Sequence, residues 1–233
     1  FSGSKNKGRN LLNKVNLSLS FLVLIFGIFC LFGFNFYYGF ILTFLGLFGI
    51  NSSKSESQFL KIENILKFSK VSELKLKPLR KIEFDSNFSK FNKLIKDKKD
   101  EADKYFFVTN NGRWTGFVDE NILKDVSIKK WERTFVEDYK KPINSLISVY
   151  VNNKLWKTIE RIEETNDGFL LVVNAAHIPL GIIDRPKIGN FILNKLGFNL
   201  PSEFVKKLNN KNHYPLGIEL PRIINSMKQK GDL

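Results

Sequence analysis

The sequence predicts an α+β chain: an apolar helical hairpin followed by a β-α-β-β-α unit written twice. Two observations carry this. Leu17 to Ile50 runs for 34 residues without a charge. The stretch from Val71 to Leu196 aligns with itself, without a gap, at an offset of 65 residues. Val71 then pairs with Val136, Lys75 with Lys140, Ile82 with Ile147, Asn87 with Asn152, Phe91 with Trp156, Leu94 with Ile159, Val108 with Val173, Gly116 with Gly181 and Asp119 with Asp184. One register held over all these pairs argues for duplication, since shared composition would not keep it.

The uncharged run is too long for one straight span. At 1.5 Å per residue it would measure about 51 Å against a hydrocarbon core of about 30 Å. A break at Gly33-Phe34-Asn35 divides it into Leu17–Gly33 and Phe36–Ile50, two short transmembrane helices with no polar face on either. Lys5, Lys7, Arg9 and Lys14 precede the run, and Lys54, Lys61, Lys67 and Lys70 follow it. Basic residues collect on cytoplasmic flanks, so both ends are expected in the cytoplasm with the Asn35 turn outside: an integral, multi-pass arrangement in the lipid bilayer. Gly39, Thr43 and Gly46 form a small-residue stripe that permits close packing against another membrane helix, which need not belong to this chain.

Each copy of the duplicated unit opens on a strand-like stretch, Leu79–Phe84 or Leu146–Val151, and continues into an amphipathic helix. Two apolar strands joined by a turn follow: Tyr105–Thr109 with Trp114–Val118, and Phe169–Val173 with Pro179–Ile183. A closing helix ends the unit, which buries its apolar face only by stacking on its twin. The resulting division is a basic juxtamembrane loop (1–16), the hairpin (17–50), a Ser-rich linker (51–70), two repeat units (71–130 and 131–197) and a C-terminal tail (198–233). Within that tail Ile223, Ile224 and Met227 suit a short amphipathic helix.

The segments Tyr105-Phe-Phe-Val-Thr-Asn-Asn-Gly-Arg-Trp-Thr-Gly-Phe-Val-Asp and Phe169-Leu-Leu-Val-Val-Asn-Ala-Ala-His-Ile-Pro-Leu-Gly-Ile-Ile-Asp resemble the CBS domain, a regulatory module that occurs as a tandem pair. The resemblance implies a tandem CBS pair here, and the opportunity for a CBS-mediated dimer. It also points to Asp119, Asp184 and Lys187 as the places of a degenerate nucleotide site. The family's ligand motif is Gly-apolar-apolar-Ser/Thr-x-x-Asp. Here Asp119 and Asp184 stand where the hydroxyl is expected, and Ile122 and Lys187 where the ribose-binding carboxylate is expected. A phosphate would meet like charge at both aspartates, which argues against an adenine nucleotide there. An aspartate entering a helix is also a good N-cap.

The net charge is +14, from 37 basic and 23 acidic residues. All the acids lie beyond Ile50, leaving +4 before the hairpin and +10 after it. Such an excess beside a bilayer suits anionic lipid. No recognition motif points to nucleic acid. Cys30, inside the apolar run, is the only cysteine, which excludes a disulfide and a thiolate metal site within the chain.

Catalytic chemistry is scarce. The two histidines, His177 and His213, lack the spacing of a His-Glu-x-x-His metalloprotease helix, and His177 falls in the turn between paired strands. Glu163 with Glu164, and Asp97 with Asp100, suit solvated helix surface. Trp114, Trp131 and Trp156 suit core or interface positions. The chain starts at Phe1 without a methionine and so has the look of a fragment.

A basic loop, a membrane hairpin, a linker and a tandem CBS pair, in that order, resemble the C-terminal half of CBS-containing site-2 proteases, which are intramembrane zinc metalloproteases. The resemblance implies that zinc and the catalytic residues belong to upstream transmembrane helices. This chain would then anchor and regulate proteolysis without being the hydrolase itself, binding no metal. A CBS-regulated transporter or channel, or a membrane-tethered CBS binding module, are the alternatives. A transporter hairpin should carry an intramembrane ionisable residue, and Leu17–Ile50 has none.

Overall fold

The computed structural model describes residues 2–33, 36–96, 105–165, 168–201 and 213–233, with side chains from residue 7 onward. It divides into two compact units. One is Phe1–Phe68 with Arg222–Leu233, the other Ser69–Pro221.

In the first unit, α1 (Ser2–Gly33) and α2 (Phe36–Phe68) run antiparallel. Both are long and apolar enough to cross a membrane. Glycines on both helices set their separation. A methyl added at Gly39 would strike the Leu31 backbone, at Gly46 the Leu24 backbone, and at Gly27 the Thr43 backbone. The partner of the Gly39–Gly46 stripe is therefore α1 of the same chain, not a helix from elsewhere. Backbones that approach this closely gain dispersion contacts that larger side chains would forbid. The outward faces, with Phe21, Phe26, Phe29, Phe40, Phe44 and Phe48, are exposed. The expected turn residues Phe34 and Asn35 lie outside the described residues.

Both helices run beyond the apolar stretch. The segment expected as a loop (1–16) is helical from Ser2, and the expected linker (51–70) is helical to Phe68. No proline interrupts either segment, and ion pairs between the helices hold the extensions together. Arg9 Nη1 lies 2.8 Å from Glu63 Oε2 and its Nη2 2.9 Å from Glu56 Oε1, while Asn13 donates to the Ser53 carbonyl at 2.9 Å. Residues 222–233 join this polar end. They include most of the last helix, α6 (Leu220–Gln229), whose Ile224 and Met227 are buried. Lys230 Nζ stands 3.7 Å from Glu63 Oε1, and Lys67 donates to the Asp232 carbonyl.

The second unit contains the repeats. The first comprises β1 (Lys81–Glu83), α3 (Phe88–Lys96), β2 (Tyr105–Asn110) and β3 (Arg113–Asp119). The second comprises β4 (Ser148–Tyr150), α4 (Leu155–Glu163), β5 (Phe169–Val173), β6 (Pro179–Asp184) and α5 (Arg185–Lys195). Each forms a three-stranded sheet of the same order, first strand parallel to the second and second antiparallel to the third. Side chains alternate between the two faces of each strand. In the first sheet Phe106, Val108 and Val118 join Phe88 and Phe91 of α3 in one core, while Phe107 and Phe117 meet Leu171, Val173 and Ile182 of the second sheet in another.

The expected closing helix is present only in the second copy. After β3 the chain makes a 3-10 turn at Glu120–Lys124, and Ile122, Leu123 and Val126 fold onto the first core. After β6, Asp184 caps α5 and Pro186 occupies its first turn, where a missing N–H costs nothing.

The repeats also exchange their leading segments. Lys77, ahead of β1, trades two backbone hydrogen bonds with Ile182 of β6, at 2.9 and 3.0 Å. Lys141, ahead of β4, does the same with Phe117 of β3, at 2.9 and 2.8 Å. The registers make Lys81 the counterpart of Ser148, Phe107 of Leu171, and Gly116 of Gly181. The 65-residue offset thus holds at Gly116 and Asp119, and at Val71 and Val136, which make matching backbone bonds to Asn153 and Ser86, but it fails along the strands between them. Ile82 answers to Val149, not Ile147, and Val108 to Val172, not Val173.

Candidate functional site

The second unit holds a cavity of about 500 Å³ between the two repeats. Its walls come from the β2–β3 turn (Gly112–Trp114), the 3-10 turn Ile143–Ser145, Leu146 and Ser148 leading into and along β4, Leu171 and Val173 of β5, and His177–Pro179 entering β6.

Local sequence builds each wall. Asn111 and Gly112 both take positive φ, 48° and 77°, which gives the tight two-residue turn that aims Arg113 and Trp114. In the other hairpin Asn174 Oδ1 accepts the N–H groups of Ala176 and Ile178 at 3.0 and 2.9 Å. His177 is held there at φ 57°, with its Nε2 3.0 Å from the Tyr150 hydroxyl. The floor is aliphatic, with Leu146, Leu171 and Val173 all buried. Trp114 contributes an aromatic wall and packs edge-on against Phe107, centroids 6.1 Å apart. Among the described residues the charged side chain on the lining is Arg113, and none of them places a carboxylate there. Asn144 and Ser148 add neutral hydrogen-bonding groups. Such a lining suits a ligand with a flat, apolar body and an anionic end.

The residues expected at a nucleotide site lie elsewhere. Asp119 Oδ1 accepts the Asn121 N–H at 2.8 Å and caps the short 3-10 turn. Asp184 Oδ1 accepts the Lys187 N–H at 2.9 Å, while Oδ2 meets Lys77 Nζ at 2.7 Å in a nearly buried pair. Lys187 is half-buried in the first turn of α5. None of the three lines the cavity, so the like-charge objection to phosphate does not reach it. Sequence reasoning put His177 in a turn and Trp114 at a core or interface position without a ligand role, because no cavity residue belongs to the ligand motif. The usable signal was a length difference: four positions separate Lys77 from Lys81, and seven separate Lys141 from Ser148.

Another polar cluster ties the segment after residue 212 to this unit. Arg185 meets Glu163 with two bonds, Nε to Oε1 at 2.9 Å and Nη2 to Oε2 at 3.1 Å, and Tyr214 Oη donates to Oε1 at 2.8 Å. Partial burial alone would push the Glu163 carboxyl up, but the hydrogen bonds from Arg185 and Tyr214 outweigh it and hold it below its ordinary value. Burial and the neighbouring carboxylate push the Tyr214 phenol up. Pro215 seats against Gly189, where any side chain would collide with its ring. Trp131 packs on the first core and donates to the Val126 carbonyl at 2.9 Å. Glu164 lies 3.8 Å from Arg161, and Asp97 and Asp100 lie outside the described residues. Among the described residues no three His, Cys, Asp or Glu side chains are placed to hold a metal.

No family model matches the sequence, and no curated protein matches it. Among solved structures, the chain is similar to the CBS domain of a bacterial CNNM/CorC family Mg2+ transporter, at 15% identity and a TM-score of 0.48, covering 64% of this chain and 93% of that one. It is also similar to that family's CBS domain in complex with ATP, at 14% identity and a TM-score of 0.48 over 62% and 99% of the two chains. A third is CBSX2 in complex with AMP, at 19% identity and a TM-score of 0.43 over 54% and 96%. At these identities the likeness concerns the fold alone.

Proposed function

We propose that the chain is the membrane-anchoring and regulatory part of an intramembrane zinc metalloprotease of the site-2 type, with its repeat pair as a cytoplasmic ligand-responsive module. The observation that carries the regulatory half is the cavity between the repeats, with its aromatic wall, aliphatic floor and basic rim. An adenine nucleotide has the matching chemistry, a flat base and an anionic phosphate, with Trp114 against the base and Arg113 and His177 toward the phosphate. The anchoring half is supported by the glycine-packed pair α1 and α2, whose apolar outer faces suit lipid and neighbouring membrane helices. Zinc and the catalytic residues, on this reading, belong to helices outside this sequence, and no chemical step is assigned to residues here.

A transporter or channel gated by the same module is the second reading. It too would use a membrane hairpin, but an ion path calls for intramembrane ionisable groups, and the apolar run carries none. The full-length protein in native membranes separates the two. The protease reading expects cleavage of a membrane-spanning reporter that stops on zinc chelation and changes in rate when residues 69–221 are deleted. Ion flux without chelator-sensitive cleavage would replace it with the transporter reading.

A further inference from the structure

Resting on the reading of the cavity as a ligand site, we propose that the repeat pair offers one open ligand cleft per chain, in the second repeat, its counterpart in the first being closed by Trp114, Phe107 and Lys81. The strand registers relate the two clefts position by position. Ser148, Leu171, Val173 and Pro179 line the cavity, and their counterparts are Lys81, Phe107, Thr109 and Trp114. Three of these four are bulkier in the first repeat, and they fill the space with each other. Trp114 stands edge-on to Phe107, and Lys81 Nζ lies 5.1 Å from the Trp114 ring centroid. The fourth, Thr109, is buried and donates its hydroxyl to Glu83 Oε1 at 3.0 Å.

The backbone adds a second difference. The longer path from Lys141 to Ser148 folds into the 3-10 turn Ile143–Ser145, which supplies Ile143 and Asn144 to the cavity wall. The first repeat goes directly from Lys77 to Lys81 and has no such turn. Trp114 therefore has two faces with opposite duties, closing the first cleft and walling the second. A duplicated module has in this way become a one-site module, through bulk in one copy and a longer loop in the other.

AMP binding to the full chain in nanodiscs tests this, read as stoichiometry and affinity alongside thermal stability. Wild type should bind one AMP. Ser148→Lys/Leu171→Phe, which copies the first repeat into the cavity, should weaken binding by at least about tenfold and leave the melting temperature unchanged or higher, because the added ring enters open space. Lys81→Ser/Phe107→Leu, which removes two of the three side chains that close the first cleft, should keep the second-repeat site and open room for a second AMP. Two AMP per wild-type chain, or loss of binding only in Lys81→Ser/Phe107→Leu, would overturn the proposal. If wild type binds no AMP, the nucleotide assignment fails. The melting temperature then decides the asymmetry: an unchanged or higher value for Ser148→Lys/Leu171→Phe supports it, and a fall typical of an overpacked core overturns it.

Discussion

Gly116 lies directly beneath the Lys141 carbonyl, so close that a methyl on it would come within 2.5 Å of that oxygen, and Gly181 stands in the same relation to Lys77, at 2.7 Å. Both glycines have ordinary backbone angles. They are required because a segment from the other repeat passes over them and bonds to the next residue. Gly116→Ala or Gly181→Ala should cost about 1–3 kcal/mol, read as a lower urea midpoint. Alanine at the turn glycine Gly112, whose added methyl meets nothing, should act through its φ alone.

Asp184 caps α5 and faces Lys77 of the exchanged segment within one nearly buried contact. Asp184→Ala removes both interactions and should destabilise by about 3 kcal/mol. Asp119→Ala, at an exposed cap with no such lysine contact described, should cost about 1 kcal/mol or less. Equal losses would show that the Lys77 contact adds nothing.

Much of this fold is legible in the sequence because its signals are periodic. The uncharged run gives two helices, and the unbroken apolar runs Phe106–Val108 and Leu170–Val172 give strands with two buried faces. The helical extensions at 2–16 and 51–68 escape that signal, since polar residues there are held by partners distant in sequence, such as Arg9 with Glu63. The exchange of Lys77 and Lys141 is equally hidden, because nothing local says which sheet edge a segment will join. The cavity escaped for a related reason: it arises from a length difference, and an ungapped alignment averages that difference away.

Glu163 predicts an acid effect. Its carboxyl is held below the ordinary value of 4.5 in the folded state, so its pairing with Arg185 and Tyr214 contributes fully at neutral pH. That contribution fades as pH falls below 4.5 and through the lowered value. Glu163→Gln should therefore lower the melting temperature at neutral pH and narrow its gap from wild type near about pH 3. A gap that is constant from neutral to acid would exclude the carboxylate as its cause.

Close helix approach makes a prediction for the first unit. Gly46→Leu would drive a side chain into Leu24 and should separate α1 from α2 at a cost of about 1–3 kcal/mol. It is measurable, in a Cys30→Ser background, as loss of a proximity cross-link between Ser20→Cys and Gly49→Cys, positions that face each other across the two helices. An unchanged cross-linking pattern would mean that the glycines do not set the spacing.

Whether a membrane hairpin holds the repeat pair on one side is measured most directly by labelling with an impermeant maleimide. Cys30 is the only cysteine, so a Cys30→Ser background admits single probes at Lys14→Cys, Tyr37→Cys and Lys54→Cys, all at exposed positions. In sealed spheroplasts Tyr37→Cys should label from outside, and Lys14→Cys and Lys54→Cys only after the membrane is opened. Lys14→Cys and Lys54→Cys labelling from opposite sides, or all three from the same side, would contradict the hairpin and with it the membrane-anchored module.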